Sequence, residues 1–496
     1  MDITEIVNTI FAPINKYGWY LALAALVICG VYFTIKLKGM QIAKIKETAT
    51  LSFSGVREGK TKRRVSSFEA FCIGMGARIG VGNIAGVATA IVTGGPGAVF
   101  WMWIFAIMGS ATSFMESTLA QVFKEKKEDG QYYGGPAYYA TKGLKSRKLG
   151  IFVAIMLIIT FGIGFVGVQA SNATAALTGA FNFEHNAIIF GSIIAIVAGI
   201  IIFGGVKRIG RFSSQVVPIM ALLWIIFALI AICLNYDGVV NAFKMIFEYA
   251  FGAPAVIGGG IGTAINIGMR RGIFSNEAGL GSVANISASA DTPHPAKQGM
   301  IQSCGVLVDT ILVCTITALV VLSYGSFDEI FALDLRNAQL VQAIVSQTAI
   351  GDAANYIIAI FMLVFAFTSM IGYYTMSEAN VRFIKDNKLT INIVRIIVLI
   401  TILCASVTST AMLDTISDTF NAIMGFTNVI IVAMLSKIAF AVYKDYWKQK
   451  KAGIKDPEFH RETIEGLKYA DGVTEWGPEM YSAANSDIID DGKDKA

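Results

Sequence analysis

The chain has 496 residues, 55% hydrophobic and only 15% charged, with 49 glycines and a mean hydropathy of +0.61; a soluble protein averages roughly 25% charged residues. That balance excludes an ordinary soluble enzyme, a disordered chain, a coiled coil and a small disulfide-stapled domain. A net charge of +5, from 40 basic and 35 acidic residues, is too weak and too scattered for a nucleic-acid protein. The composition is that of a polytopic membrane protein.

A bilayer core takes about 20 apolar residues per helix. Eleven stretches qualify: 17–35, 68–93, 98–123, 150–179, 187–205, 214–235, 255–285, 299–323, 353–380, 391–411 and 417–443. The first is preceded by Asp2, Glu5 and a single base, Lys16, which is not the pattern of a signal peptide. Lys36, Lys38, Lys44, Lys46, Arg57, Lys60, Lys62, Arg63 and Arg64 follow it. Lys124, Lys126, Lys127, Lys142, Lys145, Arg147 and Lys148 follow the third, Lys207, Arg208 and Arg211 the fifth, and Arg382, Lys385 and Lys388 the ninth. The alternate loops are nearly free of bases: 180–186 has none, 236–254 only Lys244, and 324–352 only Arg336. Bases collect on the cytoplasmic side, so an odd number of helices puts the N-terminus outside and the C-terminus inside. Residues 444–496 read as a charged cytoplasmic tail.

Cysteine and histidine offer no chemistry. Cys29, Cys72, Cys233, Cys304, Cys314 and Cys404 all lie in apolar runs, and His185, His294 and His460 lack metal-ligand spacing. Neither H-E-x-x-H nor G-x-S-x-G occurs, so an enzyme has little to build on and no cofactor is expected.

Two membrane segments carry more than packing demands. The second reads F-E-A-F-C-I-G-M-G-A-R-I-G-V-G-N-I-A-G, with Gly74, Gly76, Gly80, Gly82 and Gly86 around its middle. The seventh reads G-G-G-I-G-T-A-I-N-I-G-M-R-R-G-I-F-S-N-E-A-G-L-G-S and puts Arg270, Arg271, Asn276 and Glu277 near mid-membrane. Each glycine weakens a helix by about 1 kcal/mol, and a charge at the bilayer centre is tolerated only where it faces protein or water. Both segments are expected to break there and line a cavity. Small-x-x-x-small packing is the plainer alternative, but it leaves Asn83, the arginines, Asn276 and Glu277 unexplained. The second segment starts inside and the seventh outside, and each opens a block of five. Oppositely oriented blocks with interrupted leading helices point to a secondary transporter with its site at the midplane. Half-helix N-termini there suit a carboxylate, and free carbonyls suit a small cation or an ammonium.

The strings G-A-R-I-G-V-G-N-I-A-G-V-A-T-A-I, G-G-P-A-Y-Y (134–139) and R-R-G-I-F-S-N-E-A-G-L-G-S followed by A-D-T-P-H-P-A-K-Q-G resemble those of the alanine or glycine:cation symporter family, up to about residue 445. The resemblance implies an all-α LeuT-type fold, a five-plus-five inverted repeat with one additional N-terminal helix. The implied divisions are 1–67 (extra helix and basic loop), 68–235 (first repeat), 236–254 (extracellular connector), 255–443 (second repeat) and 444–496 (tail). It also implies sodium-coupled symport of alanine, glycine or another small neutral amino acid across the cytoplasmic membrane by alternating access.

Residue by residue, the match implies that N–H groups of the turn Gly80, Val81 and Gly82 hold the substrate carboxylate. Carbonyls of Gly76, Ile79 and Phe365 and the hydroxyls of Thr368 and Ser369 would form a sodium site, although a Thr-Ser pair is also a common backbone-bonded filler. Phe274, Ser275 and Asn276 fall where the family contacts substrate. Gln169 and Asn172 share a helix face and are candidates for the pocket or, as readily, for an interhelical hydrogen bond. Tyr373 is expected to cap the side-chain end. Many members carry Thr where Val81 stands and Trp where Tyr373 stands; the smaller ring leaves room for a side chain larger than methyl.

Four acids fall in apolar surroundings: Glu116, Glu277, Asp309 and Glu378. Glu277 could pair with Arg270 or Arg271. Asp309 could serve a second cation near Asn83, and Glu116 resembles an acid that braces the helix break. Proton coupling through Glu116, Glu277 or Asp309 is the nearest alternative function, and an amino-acid receptor or channel on the same fold a more distant one.

Overall fold

The computed structural model describes residues 3–54, 64–252, 260–464 and 472–476. The bases Arg57, Lys60, Lys62 and Arg63, the start of the seventh segment with Gly258 and Gly259, and the end of the tail lie outside the described residues. The helices that frame the molecule are α1 (Ile3–Lys36), α2 (Ser67–Arg78), α3 (Ala85–Gly94), α4 (Gly97–Val122), α5 (Arg147–Ala180), α6 (Asn186–Ile202) and α7 (Gly205–Cys233). They continue with α8 (Asp237–Phe251), α9 (Gly260–Asn276), α10 (Ser282–Ser289), α11 (Pro295–Leu322), α12 (Ala353–Ile384), α13 (Lys388–Ser406) and α14 (Thr410–Lys451). Eight of them are long and apolar enough to cross a membrane. The 17-residue α6 and the interrupted pairs α2/α3 and α9/α10 account for the other three segments expected from the sequence.

The outer surface is apolar, unlike that of a soluble domain, and polar side chains are set within the largely apolar interior. Ile193, Ile196 and Ile200 on α6, Leu222, Leu223 and Ile226 on α7, and Ile396 and Ile400 on α13 are exposed. Asn83, Arg78, Gln169, Ser275, Asp309 and Ser369 are buried. With hydrocarbon as the solvent, apolar side chains lose nothing by facing out, whereas polar groups must find partners within.

Local chemistry sets the ends of the first interrupted helix. Ser66 and Glu69 form a reciprocal cap at the start of α2, Ser66 Oγ accepting from Glu69 N (3.1 Å) and Glu69 Oε2 from Ser66 N (2.8 Å). Just before it, Val65–Ser66 pairs in parallel with Ala290–Asp291, just after α10. The beginning of one interrupted helix is therefore tied to the end of the other, at the end of the molecule where the basic loops lie. The two helices run in opposite directions.

Residues 236–254, expected as a connector, hold the helix α8. Its buried residues Ala242, Met245, Ile246 and Ala250 follow a helical spacing, while Lys244 and Glu248 stay exposed. It presses on the start of α4 so closely that a Cβ on Gly97 would lie 2.3 Å from the Tyr249 carbonyl. A helix of 15 residues with Asp237, Lys244 and Glu248 set among its apolar ones escapes a search for long, uniformly apolar spans.

The tail also departs from expectation. α14 runs on to Lys451, and of the described residues beyond it, those around Phe459 and Trp476 pack back onto the basic end. Phe459 and Trp476 are buried with ring centroids 5.4 Å apart. Trp476 Nε1 donates to the Gln121 carbonyl (3.0 Å), and Phe459 N to that of Pro293 (3.0 Å). Lys124 lies 4.6 Å from the Trp476 ring and 4.1 Å from that of Tyr132. Burial pulls its ammonium down to about 8, which leaves it a cation at neutral pH and a partner for both rings. Trp→Ala in such a packed site costs about 3–5 kcal/mol, more than a short docked segment can spare. Trp476→Ala is therefore expected to free the chain around Phe459 and Trp476, read as rapid limited proteolysis there with the helical core intact. Wild-type resistance in the variant would mean that the tail is held elsewhere.

Candidate functional site

The first break lies where α2 ends. Ile79 (φ −75°, ψ 80°) and Gly80 (φ −123°, ψ −157°) leave helical geometry, one turn forms over Val81–Asn83, and α3 follows. The Asn83 side chain closes the turn, its Oδ1 accepting from Gly80 N (2.9 Å). Gln169 on α5 reaches across to accept from Val81 N (3.0 Å). A Cβ on Gly80 would lie 2.5 Å from Ser369 Oγ and 2.9 Å from Gln169 Nε2, so glycine is required there by close approach.

α12 supplies the facing wall. Ser369 Oγ donates to the Gly76 carbonyl (2.8 Å) and Thr368 Oγ1 to that of Phe365 (3.0 Å). A Cβ on Gly76 would lie 3.3 Å from Thr368 Cβ. Gly76, Phe365, Thr368 and Ser369 are thus brought together, with Ile79 closing the same helix end. Tyr373, one turn on, donates to the Ala77 carbonyl (3.0 Å) and receives a bond from Gln169 Nε2 (3.4 Å). The expected cap over the pocket is in part a strut to the first half-helix.

The second break spans Glu277 to Gly281, with positive φ at Glu277 (58°), Gly279 (91°) and Gly281 (73°). Asn276 braces it, Oδ1 accepting from Ala278 N (3.0 Å) and Nδ2 donating to Thr310 Oγ1 (3.0 Å). Between the two breaks sits Asp309, in a π-helical stretch of α11 (Val308–Cys314). Its carboxylate accepts from Asn83 Nδ2 (2.7 Å), Ser275 Oγ (2.8 Å) and Thr310 Oγ1 (3.0 Å). π-Turns of this kind recur at functional sites, and α5 has one too, over Thr160–Phe165. From it Phe165 stacks on Phe274 (4.8 Å, 22°) and meets Tyr373 edge-on (5.3 Å). Phe274 lies against the first turn, since a Cβ on Gly82 would be 3.3 Å from its ring.

Two expectations need correction. Asn172 makes no interhelical bond among the described residues: its Nδ2 donates to Val168 O (2.9 Å) in its own helix. Glu277 pairs with neither Arg270 nor Arg271. Arg270 turns outward to Asp418 (2.8 Å) and Asn15 (2.8 Å), and Arg271 lies over the Phe274 ring at 5.8 Å. Glu277 Oε2 instead accepts from Ser282 Oγ (2.6 Å), at the start of α10. Glu378 has the partner a buried acid needs: it binds Arg382 (2.8 Å) and Tyr374 (2.6 Å) toward the basic end.

Arg78, not singled out from the sequence, is the central cation. Only 2% exposed, it donates from Nε to Asn276 O (2.9 Å), from Nη1 to Gln302 O (3.0 Å) and Oε1 (3.3 Å), and from Nη2 to Ser113 Oγ (3.0 Å). It sits at the C-terminus of α2 and bonds the last carbonyl of α9. One positive charge thereby serves the negative ends of two helix dipoles. Glu277, Asp309 and Glu116 are its electrostatic neighbours. Glu116 in turn accepts from Asn428 Nδ2 (2.7 Å) and from the N–H groups of Gly279 and Gly281 at the second break.

The comparisons with known proteins show the fold and the family. MhsT, solved in complex with L-phenylalanine, superposes with a TM-score of 0.55 at 14% identity, over 78% of this chain and 99% of that one. The fold is the LeuT type. Among curated proteins of Bacillus subtilis (strain 168), the amino-acid carrier protein AlsT is 42% identical over 477 residues, 96% of this chain and 99% of that protein. The probable sodium/glutamine symporter GlnT is 41% identical over 473 residues, 95% and 96% of the two chains. The family model described as the sodium:alanine symporter family matches residues 4–461. This chain belongs to the sodium:alanine symporter family.

Proposed function

We propose that the protein is a sodium-coupled symporter of a small neutral amino acid, working by alternating access between two inverted five-helix repeats, 68–235 and 255–443. The additional helix lies in 1–67, the connector in 236–254 and the tail in 444–496, and the basic end faces the cytoplasm. The observation that carries this reading is the meeting of two broken helices around buried carboxylates. Against one arginine, Arg78, stand Glu116, Glu277 and Asp309. Acids buried in excess of basic groups have to be neutralised by a proton or joined by a cation.

Sodium is then cargo with two places to bind. Carbonyls of Gly76, Ile79 and Phe365 with the hydroxyls of Thr368 and Ser369 supply hard neutral oxygens for one ion. Asp309, with Asn83 beside it, supplies a charged ligand for another. The substrate carboxylate takes the N–H groups of the Gly80–Gly82 turn at the start of the second half-helix. Gln169 Oε1 holds the Val81 N–H in its place and exchanges it for the carboxylate. Phe274 and Ser275 border the substrate, Asn276 holds the break open, and Tyr373 bounds the side-chain region.

Uptake of labelled amino acids into proteoliposomes, with an inward sodium gradient or with choline in its place at fixed pH, tests the function. Uptake that ignores sodium but follows a pH gradient would move the coupling to the buried acids. Within the first ion site, Thr368→Ala combined with Ser369→Ala is expected to raise the half-saturating sodium concentration several-fold, because two of about five or six oxygen ligands are lost. An unchanged sodium dependence would sink that assignment.

A further inference from the structure

Helices α6 and α13 lie side by side at the apolar outer surface, close enough that a Cβ on Gly199 would be 3.3 Å from Leu399 Cδ1. Along them runs an apolar groove of about 600 Å³, lined by Ser192, Ala195, Gly199 and Phe203 on one side and Leu399 and Leu403 on the other. From Ser192 to Phe203 it follows eleven residues, about 16 Å at 1.5 Å per residue. That is close to half of a bilayer core of about 30 Å, the depth of one leaflet. α6 carries no charged residue, and α13 only Lys388, its first, and Arg395. Arg395 stands at the Phe203 end of the groove, its guanidinium 5.2 Å from that ring. Side chains on a helix lean toward its N-terminus, which for α13 is the basic end. Nη1 accordingly donates to Asn392 Oδ1 (3.2 Å), one turn nearer that end, and Nε donates to the Tyr374 hydroxyl (2.9 Å). Both acceptors are neutral, and the remaining N–H groups of the fork have no acceptor among the described residues. The acids of this corner, Glu378 and Asp386, are already bound to Arg382 (2.8 Å each). A second cation lies beside the first: the exposed Arg208 folds over Gly204, next to Phe203, where a Cβ would run into its Cδ.

A guanidinium on a lipid-facing helix is costly unless an anion or water meets it. Snorkelling to water would satisfy the arginine alone, but it gives no account of an apolar groove one leaflet deep that ends on the same side chain. One molecule suits both. The planar fork of an arginine matches the paired oxygens of a phosphodiester, and an acyl chain fills an apolar channel of that length. Two cations with no uncommitted carboxylate favour an anionic headgroup over a zwitterionic one, whose ammonium would find no partner. Basic pockets between membrane helices take anionic headgroups in this way.

We propose that α6 and α13 form a site for one anionic glycerophospholipid of the leaflet at the basic end, with its phosphate on Arg395 and Arg208 and an acyl chain in the groove down to Ser192. Tyr374, which accepts from Arg395 and donates to Glu378 (2.6 Å), joins that headgroup to α12, the helix of Thr368 and Ser369. The test titrates purified, delipidated protein in detergent with dioleoylphosphatidylglycerol or dioleoylphosphatidylcholine and follows binding by native mass spectrometry. Wild-type protein is expected to hold one phosphatidylglycerol about tenfold more tightly than phosphatidylcholine, the scale of one charge-assisted hydrogen bond. Arg395→Gln is expected to abolish that preference and Arg208→Gln to reduce it. Ser192→Trp, which closes the inner end of the groove, is expected to weaken the dioleoyl lipid and spare its dihexanoyl analogue. Unfolding in lipid-free detergent within a few degrees of wild type shows that each variant has folded. Arg208 makes no hydrogen bond among the described residues, so its variant carries the test even where loss of the Tyr374 bond unsettles the other. Equal retention of the two lipids by wild type, or a preference that survives both arginine substitutions, would overturn the site. Displacement of the lipid by an equal concentration of glycerol 3-phosphate would give the arginines to a soluble phosphate and overturn the lipid assignment.

Discussion

Arg78→Ala is expected to cause the largest loss in the molecule, in both stability and transport. The side chain is buried and makes four hydrogen bonds, to Asn276, Ser113 and twice to Gln302. Removing it strips the α9 terminus of its donor and leaves Glu116, Glu277 and Asp309 without their cation. Deleting one partner of a buried charge set costs about 3–5 kcal/mol, comparable with much of the stability of a typical domain. Arg78→Lys is not a rescue, because one ammonium cannot replace a planar fork that reaches three residues on three helices. Thermal unfolding in detergent and sodium-driven uptake check both variants. An Arg78→Ala protein that unfolds within a few degrees of wild type and still transports would show that the half-helices are held together by other contacts.

Asp309→Asn is expected to be second, and to act on the ion rather than on the fold. The amide keeps the volume and can still accept from Asn83 Nδ2 or Ser275 Oγ, now 2.7 and 2.8 Å from the carboxylate. What disappears is a full negative charge, worth about 4 kcal/mol to a cation 4 Å away at an effective dielectric of 20. Part of that is returned, because a buried carboxylate no longer has to be desolvated. The half-saturating sodium concentration is expected to rise at least about tenfold, the equivalent of 1.4 kcal/mol, with the unfolding temperature little changed. Uptake with an unaltered sodium dependence would remove Asp309 from any ion site, and a selective loss of pH-driven uptake would assign it to protons. The contrast with Arg78 is informative: both residues are buried and charged, but only the arginine bonds backbone at a helix end.

The sequence by itself determined the parts that each segment settles locally. Glycines at 76, 80 and 82 announce a break whatever surrounds them, since a helix cannot carry such a run cheaply through a membrane. Spans of α4, α5, α7, α11, α12, α13 and α14 follow from length and apolarity, and the basic loops separate the two ends. The Thr368–Ser369 pair stood out through the resemblance to the symporter family, and Asp309 because a carboxylate in an apolar helix needs a reason. Other features depend on partners far away in the chain, and only the tertiary structure decided them. Arg78 looks like one more residue of the first broken helix until Asn276 and Gln302, 198 and 224 positions later, arrive as its acceptors. Asn172 shares a helix with Gln169, yet spends its amide on its own backbone. Glu277 lay near two arginines in sequence, but the break rotates it to Ser282 while Arg270 turns to Asp418. α8 and the docked tail were missed because one is amphipathic and the other polar, and both are held by contacts with the rest of the molecule. Periodicity and glycine content report what a segment can do alone, whereas a buried charge is placed by whichever group repays its desolvation, and that group is found only when the chain has closed on itself.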